Sequence, residues 1–264
     1  MKKSFPLTHI VLLLAVSACT APASRHYILK YDEPATRFRE AFPMGNGTTG
    51  AIIYGGVDKE RISLNDISLW SGEPYDPLQD SLAAEEGLAK VREALSREDY
   101  RAADTLALRL QGPNSNRYMP MGNVRIDLHN DAAASDYLRT LDIRRGVARV
   151  EYNAGGVKYA RETFVSHPDG VVVMKFSADG GKALNMDLSF DTPLRFRTNA
   201  DGSCLLASGY APYDKDYSYD PERGTRFAVR MRICRTDGEV SYTDTSAVLR
   251  NASEAVLVIS EATS

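Results

Sequence analysis

The chain has 264 residues, 25% of them charged, and a formal net charge of −3 at pH 7. That length buries a sizeable core, as one large domain or two smaller ones. The acidic balance, without a stripe of Lys and Arg along the sequence, argues against nucleic acid and other polyanions as partners.

Residues 1–18 read as an export signal of the lipoprotein type. Lys2 and Lys3 supply a positive start, Ile10 to Val16 a short apolar run, and Ser17 and Ala18 the small residues before Cys19. The run is too short to cross a bilayer as a helix. A cysteine directly after Val-Ser-Ala resembles a bacterial lipobox, whose thiol is acylated and becomes the new N-terminus. An ordinary cleavage site beside a cysteine is the alternative. On the lipobox reading, residues 19–26 are the lipidated Cys19 and a tether, and residues 27–264 form the folded domain. The protein is then an exported bacterial lipoprotein of the outer membrane, periplasm or cell surface, touching membrane only through its lipid. Two readings stay open for Cys204 and Cys234: a disulfide of an exported protein, or free thiols in apolar strand-like surroundings. His26, His129 and His167 are scattered and no Cys-x-x-Cys occurs, so neither a metal site nor a cofactor is expected.

After the tether, Gly45-Asn46-Gly47-Thr48-Thr49-Gly50 fits G-x-G-x-x-G by letter. A dinucleotide fingerprint needs a strand before it and a helix after it. Here Pro43 precedes it and a strand-like Ala51-Ile52-Ile53-Tyr54 follows, stopped by Gly55-Gly56. The glycines therefore serve a turn. Arg61 to Leu64 predicts a second short strand, leading into Asn65-Asp66 and Leu69-Trp70-Ser71-Gly72.

Asp80 to Leu110 predicts a helical hairpin. Leu88, Val91 and Leu95 share one face, Ser96-Arg97-Glu98-Asp99 reads as an N-cap box, and Gly112-Pro113 ends the unit. From Gly122 the period becomes two. Val124-Ile126-Leu128, Leu184-Met186-Leu188-Phe190 and Phe227-Val229-Met231-Ile233 each alternate with polar or small residues. Val171 to Met174 and Ala255 to Ile259 are continuous apolar runs, consistent with more deeply buried strands. Turn signals such as His167-Pro-Asp-Gly170 and Asp237-Gly238 recur between them. Many antiparallel strands without interleaved helices predict a mainly β fold, a large sandwich of two stacked sheets. The last strand reads as ending at Ile259, with neither linker nor capping element before Ser264, as in an incomplete domain.

Several motifs then fall in one order: Met44-Gly45-Asn46-Gly47-x-x-Gly50-Ala51, Gly55-Gly56-Val57, Arg61-Ile62-x-Leu64-Asn65-Asp66 and Ser68-Leu69-Trp70-Ser71-Gly72. Tyr159-x-Arg161-Glu162-x-Phe164-x-Ser166-His167-Pro168, Gly224-Thr225-Arg226-Phe227 and Asn251-Ala-Ser-Glu254 follow. Together they resemble the N-terminal domain of family 95 glycoside hydrolases, the inverting α-L-fucosidases. The resemblance implies a β-supersandwich followed by a linker and an (α/α)6 barrel, fucosylated oligo- or polysaccharide as substrate, and that barrel as partner. It also implies that the catalytic acid and base lie in the barrel, so no catalytic residue is carried onto this chain.

The residues themselves agree. Inverting glycosidases set two carboxyl groups across the scissile bond, and no such pair stands out among the 35 Asp and Glu. Glu60, Asp66 and Glu73 surround the best motif and read as turn, cap and surface carboxylates. Two features are candidates for touching sugar. Trp70 offers a flat face to a pyranose, although packing in the sandwich core is the reading favoured for a lone Trp. Tyr213 and Tyr217 belong to the aperiodic Tyr210-Ala-Pro-Tyr-Asp-Lys-Asp-Tyr-Ser-Tyr219 run, either a stacking platform or an ordinary exposed loop. His167 reads as a turn residue. A non-catalytic glycan-binding lipoprotein and a gene fragment are the rival readings.

Overall fold

The computed structural model describes residues 27–73, 81–111, 115–130 and 132–264. The leader, Cys19 with its tether, and Gly112-Pro113 lie outside these residues. In chain order the strands are β1 (Ile28–Tyr31), β2 (Phe42–Gly45), β3 (Thr49–Ile53), β4 (Lys59–Asp66), β5 (Gly122–Asp127), β6 (Ser135–Asp142), β7 (Val147–Ala154) and β8 (Val157–Ser166). They continue with β9 (Val171–Asp179), β10 (Leu184–Asp191), β11 (Arg195–Asp201), β12 (Cys204–Tyr210), β13 (Arg226–Thr236), β14 (Glu239–Tyr242), β15 (Ala247–Ala252) and β16 (Glu254–Thr263). Helices α1 (Ser81–Ser96) and α2 (Tyr100–Leu108) are inserted between β4 and β5.

The strands form two antiparallel sheets. One has nine strands in the order β1-β6-β7-β8-β9-β16-β13-β12-β11, the other seven in the order β14-β15-β10-β5-β4-β3-β2. Their inner faces make one core, with Leu184, Met186 and Leu188 from one sheet against Val229, Met231, Leu257 and Ile259 from the other. The expected sandwich is the observed one. Pro43 fits because β2 is an edge strand, where a missing N–H costs no ladder bond. The glycine motif is a hairpin turn: Asn46 Oδ1 accepts from the Thr48 and Thr49 amides at 3.0 and 2.8 Å, and Gly47 holds φ +101°. The Asn46 amide donates to the Ser166 carbonyl at 2.9 Å, tying this hairpin to the Ser166-His167-Pro168 turn of the other sheet.

Four readings are corrected or made definite. The apolar runs lie in β9 and β16, both interior strands: Val172, Met174, Leu257 and Ile259 enter the core while Val171, Val173, Val256 and Val258 lie half-buried outside. Outward Val173 and Val258 sit opposite each other across the two strands, and such β-branched cross-strand pairs account for the apolar outer positions. The strand β16 runs on to Thr263 rather than stopping at Ile259. In the helical hairpin Ser96 is the last residue of α1, and the cap of α2 is Asp99, whose side chain accepts from the Ala102 amide at 3.1 Å. Val91 is buried there with Ala94 and Ala103, while Leu88 and Leu95 are exposed. Finally, Cys204 and Cys234 are free thiols. Cys204 is buried in β12, whereas Cys234 follows inward Ile233 on β13 and faces outward with Arg230 and Arg232, where the β13–β16 register shifts between Ile233 and Arg235.

Candidate functional site

Two polar clusters frame the motif region. The first is sealed. Glu60, on β4, is a core carboxylate rather than a turn or surface one, with none of its side chain exposed. Its position alternates inward with Ile62 and Leu64, which drives it between the sheets. It accepts from the Gly55 and Arg61 amides at 3.0 and 2.9 Å and meets Arg161 Nη2 at 2.5 Å. Arg161, 3% exposed, also donates to the Gly56 carbonyl at 2.8 Å. Tyr137 donates to the Gly55 carbonyl, and Asn130 and Tyr152 to that of Val57. Every carbonyl of Gly55-Gly56-Val57 is thus held by a side chain. A Cβ on Gly55 would stand 2.6 Å from the Tyr137 hydroxyl, and one on Gly56 1.9 Å from the Lys59 carbonyl, so both positions need glycine. Burial pushes the Tyr137 phenol up to about 12. Beside this loop, Arg139 is fully buried, donates to the Glu40 carbonyl at 2.9 Å, and lies over the rings of Tyr31 and Phe42. This cluster clamps a loop and leaves its groups no substrate to reach.

The second cluster is open. Beyond β4 the chain turns on Asp66, which accepts from the Ser68 amide at 2.8 Å and from the Ser68 hydroxyl. Leu69 then takes the core position, fully buried, and Trp70 points away with 41% of its surface exposed. The favoured packing role for Trp70 is therefore corrected: its neighbour fills the core. Its indole donates to the Ile67 carbonyl at 2.9 Å, and its ring lies 5.2 Å from that of Tyr118. Asn65 donates to the Tyr118 hydroxyl. Ser71 and Arg117 exchange two hydrogen bonds, and the Gly72 amide donates to the Pro212 carbonyl at 2.8 Å, joining this loop to the tyrosine-rich one.

In that second loop Tyr217 is half exposed and holds a left-handed φ of +61°, uncommon for an aromatic residue. The Arg117 guanidinium lies over its ring at 4.8 Å while donating to the Lys215 carbonyl. Asp214 caps the Ser218 and Asp216 amides, and the Ser218 bond holds its carboxyl below the ordinary range. Tyr213 lies under Arg223 at 3.8 Å, and Arg223 donates to the two carboxylate oxygens of Glu73 through Nε and Nη2. That bond lowers the Glu73 carboxyl and raises Arg223. The structure thus brings Trp70, Tyr213 and Tyr217 onto one connected rim, with Trp70, Tyr118 and Tyr217 as its exposed aromatic faces.

Behind the rim lies a residue the sequence reading passed over. Glu261, on β16, faces inward with Thr263 because both continue the series Leu257, Ile259. Both its carboxyl oxygens are sealed from solvent without a well-formed hydrogen bond. Burial pushes its pKa up to about 8; the Thr49 hydroxyl offsets this in part, and the Asp66 charge adds to it. Burial thus favours the neutral, protonated form of Glu261. Burial, with the Asp66 and Glu261 charges, also raises the Tyr118 phenol. Ser68 and Thr263 hydroxyls, 2.5 Å apart, tie the rim to this strand. Inward alternation carried two residues past Ile259 was the signal for Glu261. Among the described residues, no group of three His, Cys, Asp or Glu is arranged to hold a metal ion.

The rim presents rings suited to sugar faces, while four of its carboxyl groups are engaged or enclosed: Asp66 as a cap, Glu73 by Arg223, Asp214 by the Asp216 and Ser218 amides, Glu261 by burial. Comparison with known proteins places this geometry. Residues 29–264 match the family described as "Glycosyl hydrolase family 65, N-terminal domain". The chain is 31% identical over 232 residues to "Alpha-L-fucosidase 2" of Arabidopsis thaliana, covering 81% of this chain and 27% of that protein. It is 31% identical over 144 residues to "Probable alpha-fucosidase A" of Aspergillus niger, covering 53% of this chain and 18% of that one. A solved structure described as "Putative kojibiose phosphorylase from human microbiome" aligns with 91% of this chain and 33% of its own, at a TM-score of 0.45 and 10% identity. The chain thus spans 27% or less of the length of these curated relatives.

Proposed function

We propose, from the premise that this chain belongs to the glycosyl hydrolase family 65 N-terminal domain family, that it is the β-sandwich part of an α-L-fucosidase of the inverting, family 95 kind. Its role is to brace a catalytic barrel and to line one wall of the cleft for a fucosylated glycan. The observation that carries this reading is the 31% identity to an α-L-fucosidase over 232 residues. The rim supports it physically. Exposed Trp70, Tyr118 and Tyr217 can stack on pyranose rings, where the polarised C–H groups of a sugar meet an aromatic face. Inverting hydrolysis needs one protonated and one ionised carboxyl group on opposite sides of the bond. In this reading both come from the barrel, and the carboxylates of the rim shape and hold its loops.

The test compares the 264-residue chain with a version extended by a downstream barrel, on an aryl α-L-fucoside. The expected result is no turnover by the short chain and turnover by the long one, with β-L-fucose released first as inversion requires. Turnover by the short chain, or an extended protein inert on fucosides, overturns the proposal.

A further inference from the structure

The sequence contains no basic stripe, yet the fold makes a basic face. On β13, Phe227, Val229, Met231 and Ile233 enter the core, which turns Arg226, Arg230 and Arg232 outward. The register carries the same face across β12 to the edge strand β11: Arg226 stands opposite Tyr210, which stands opposite Arg195, and Ala228 opposite Ser208, which stands opposite Arg197. Five guanidinium groups therefore share the outer surface of three adjacent strands. Small Ser208 and Ala228 lie between them. Where β11 meets the Pro221–Glu222 segment, a cleft of about 600 Å³ opens, with Arg195, Arg197, Tyr210, Glu222 and Arg226 on its lining.

Charge on this face is not balanced. Arg226 has Glu222 at 3.3 Å and Arg230 has Asp201 at 2.9 Å. Arg195 rests on the Tyr219 ring at 5.5 Å, and among the described residues no carboxylate pairs with Arg195, Arg197 or Arg232. A solvated surface ordinarily intersperses its signs, and this chain has more acids than bases to draw on. Every cation here is moreover an arginine, whose planar fork bonds carboxylate and sulfate in pairs where lysine offers a point charge.

We propose that this cleft is a binding site for an anionic saccharide, one bearing sulfate or carboxylate groups, which lies along β11 with its charges on Arg195, Arg197 and Arg226. The ligand class rests on the carbohydrate-active reading above, whereas the anion preference rests on the face alone. Flanking Tyr210 and Tyr219, whose rings meet edge to face at 6.1 Å, supply apolar surface for the sugar rings. Nucleic acid is the competing polyanion, and the test includes it.

Binding of the 264-residue chain is measured by calorimetry and by retardation in affinity gels, using a sulfated α-L-fucan, its chemically desulfated form, polygalacturonate, and a DNA duplex at matched phosphate charge. The expected result is retention by the sulfated fucan, with or without retention by polygalacturonate, a loss of about tenfold or more on desulfation, and weakening with added salt. The double variant Arg195→Ala/Arg197→Ala should lose about tenfold in affinity, with an unchanged melting temperature because both side chains are exposed. Equal binding of sulfated and desulfated fucan, undiminished binding by the double variant, or equal binding of the duplex overturns the proposal. So does loss of the interaction in the barrel-extended protein, which would assign the face to a domain contact. Failure here leaves hydrolysis of a neutral aryl fucoside untouched, so the two proposals fall separately.

Discussion

The clamp around Gly55-Gly56-Val57 and the rim around Trp70 use the same materials, arginine against aromatic rings and backbone carbonyls, to opposite ends. In the clamp, Arg139, Arg161 and Glu60 are enclosed, and their bonds end on protein. In the rim, Arg117 and Arg223 brace tyrosines whose neighbours remain open to solvent. The difference teaches what the family motifs report. Glycine at 55 and 56 and arginine at 161 are dictated by packing, whereas Trp70 is not needed by the core because Leu69 already fills it.

The largest effect should come from the clamp. Replacing Glu60 by Leu, or Arg161 by Met, leaves one buried charge without its partner and should cost about 3–5 kcal/mol in urea unfolding. The double replacement should cost clearly less than the sum, since an apolar pair of similar volume needs no desolvation. Single variants within about 1 kcal/mol of the parent would refute the clamp.

Next comes Glu261, behind the rim, which couples the stability of the fold to pH. Its folded-state value near 8 lies above the ordinary 4.5. Below pH 4.5 both folded and unfolded chains hold the proton and the residue costs nothing. As pH rises towards 8 only the unfolded chain releases it, so stability falls by about 1.4 kcal/mol per pH unit and levels off above 8. Glu261→Gln should remove this slope; urea midpoints at three pH values across the window, parent against variant, decide it. Parallel slopes would refute the assignment.

Trp70→Ala should do least to the fold, within about 1 kcal/mol. In the barrel-extended protein it should raise KM for a fucosylated oligosaccharide several-fold while leaving kcat unchanged. A large loss of stability instead would return Trp70 to a packing role and erase the contrast between rim and clamp.

Much of the architecture was legible because it is written in short-range alternation. The β10 and β13 patterns gave the core residues directly, and Pro43 ahead of the glycine run excluded a nucleotide loop. What was hidden depends on partners far along the chain. Glu60 meets Arg161, and nothing near either announces the other. The arginine face is assembled by register from β11 and β13, so no local window contains it. Trp70 was misplaced because neighbouring Leu69 and Trp70 compete for one core site, and composition alone favours burying the larger. Whether Cys204 and Cys234 pair was left open because it depends on which face of β12 and β13 each occupies, and spacing along the chain does not report that.

The strand β16 occupies an interior position of the nine-stranded sheet, paired with β9 on one side and β13 on the other, although it follows the other strands of both sheets in the chain. During synthesis the ribosome therefore releases two half-sheets with facing bare edges before it releases the strand that joins them. Until Glu254–Thr263 emerges, β9 and β13 each present unpaired N–H and C=O groups, the state in which β proteins pair with the wrong neighbour. Closing the nine-stranded sheet is thus a central insertion rather than the addition of an edge.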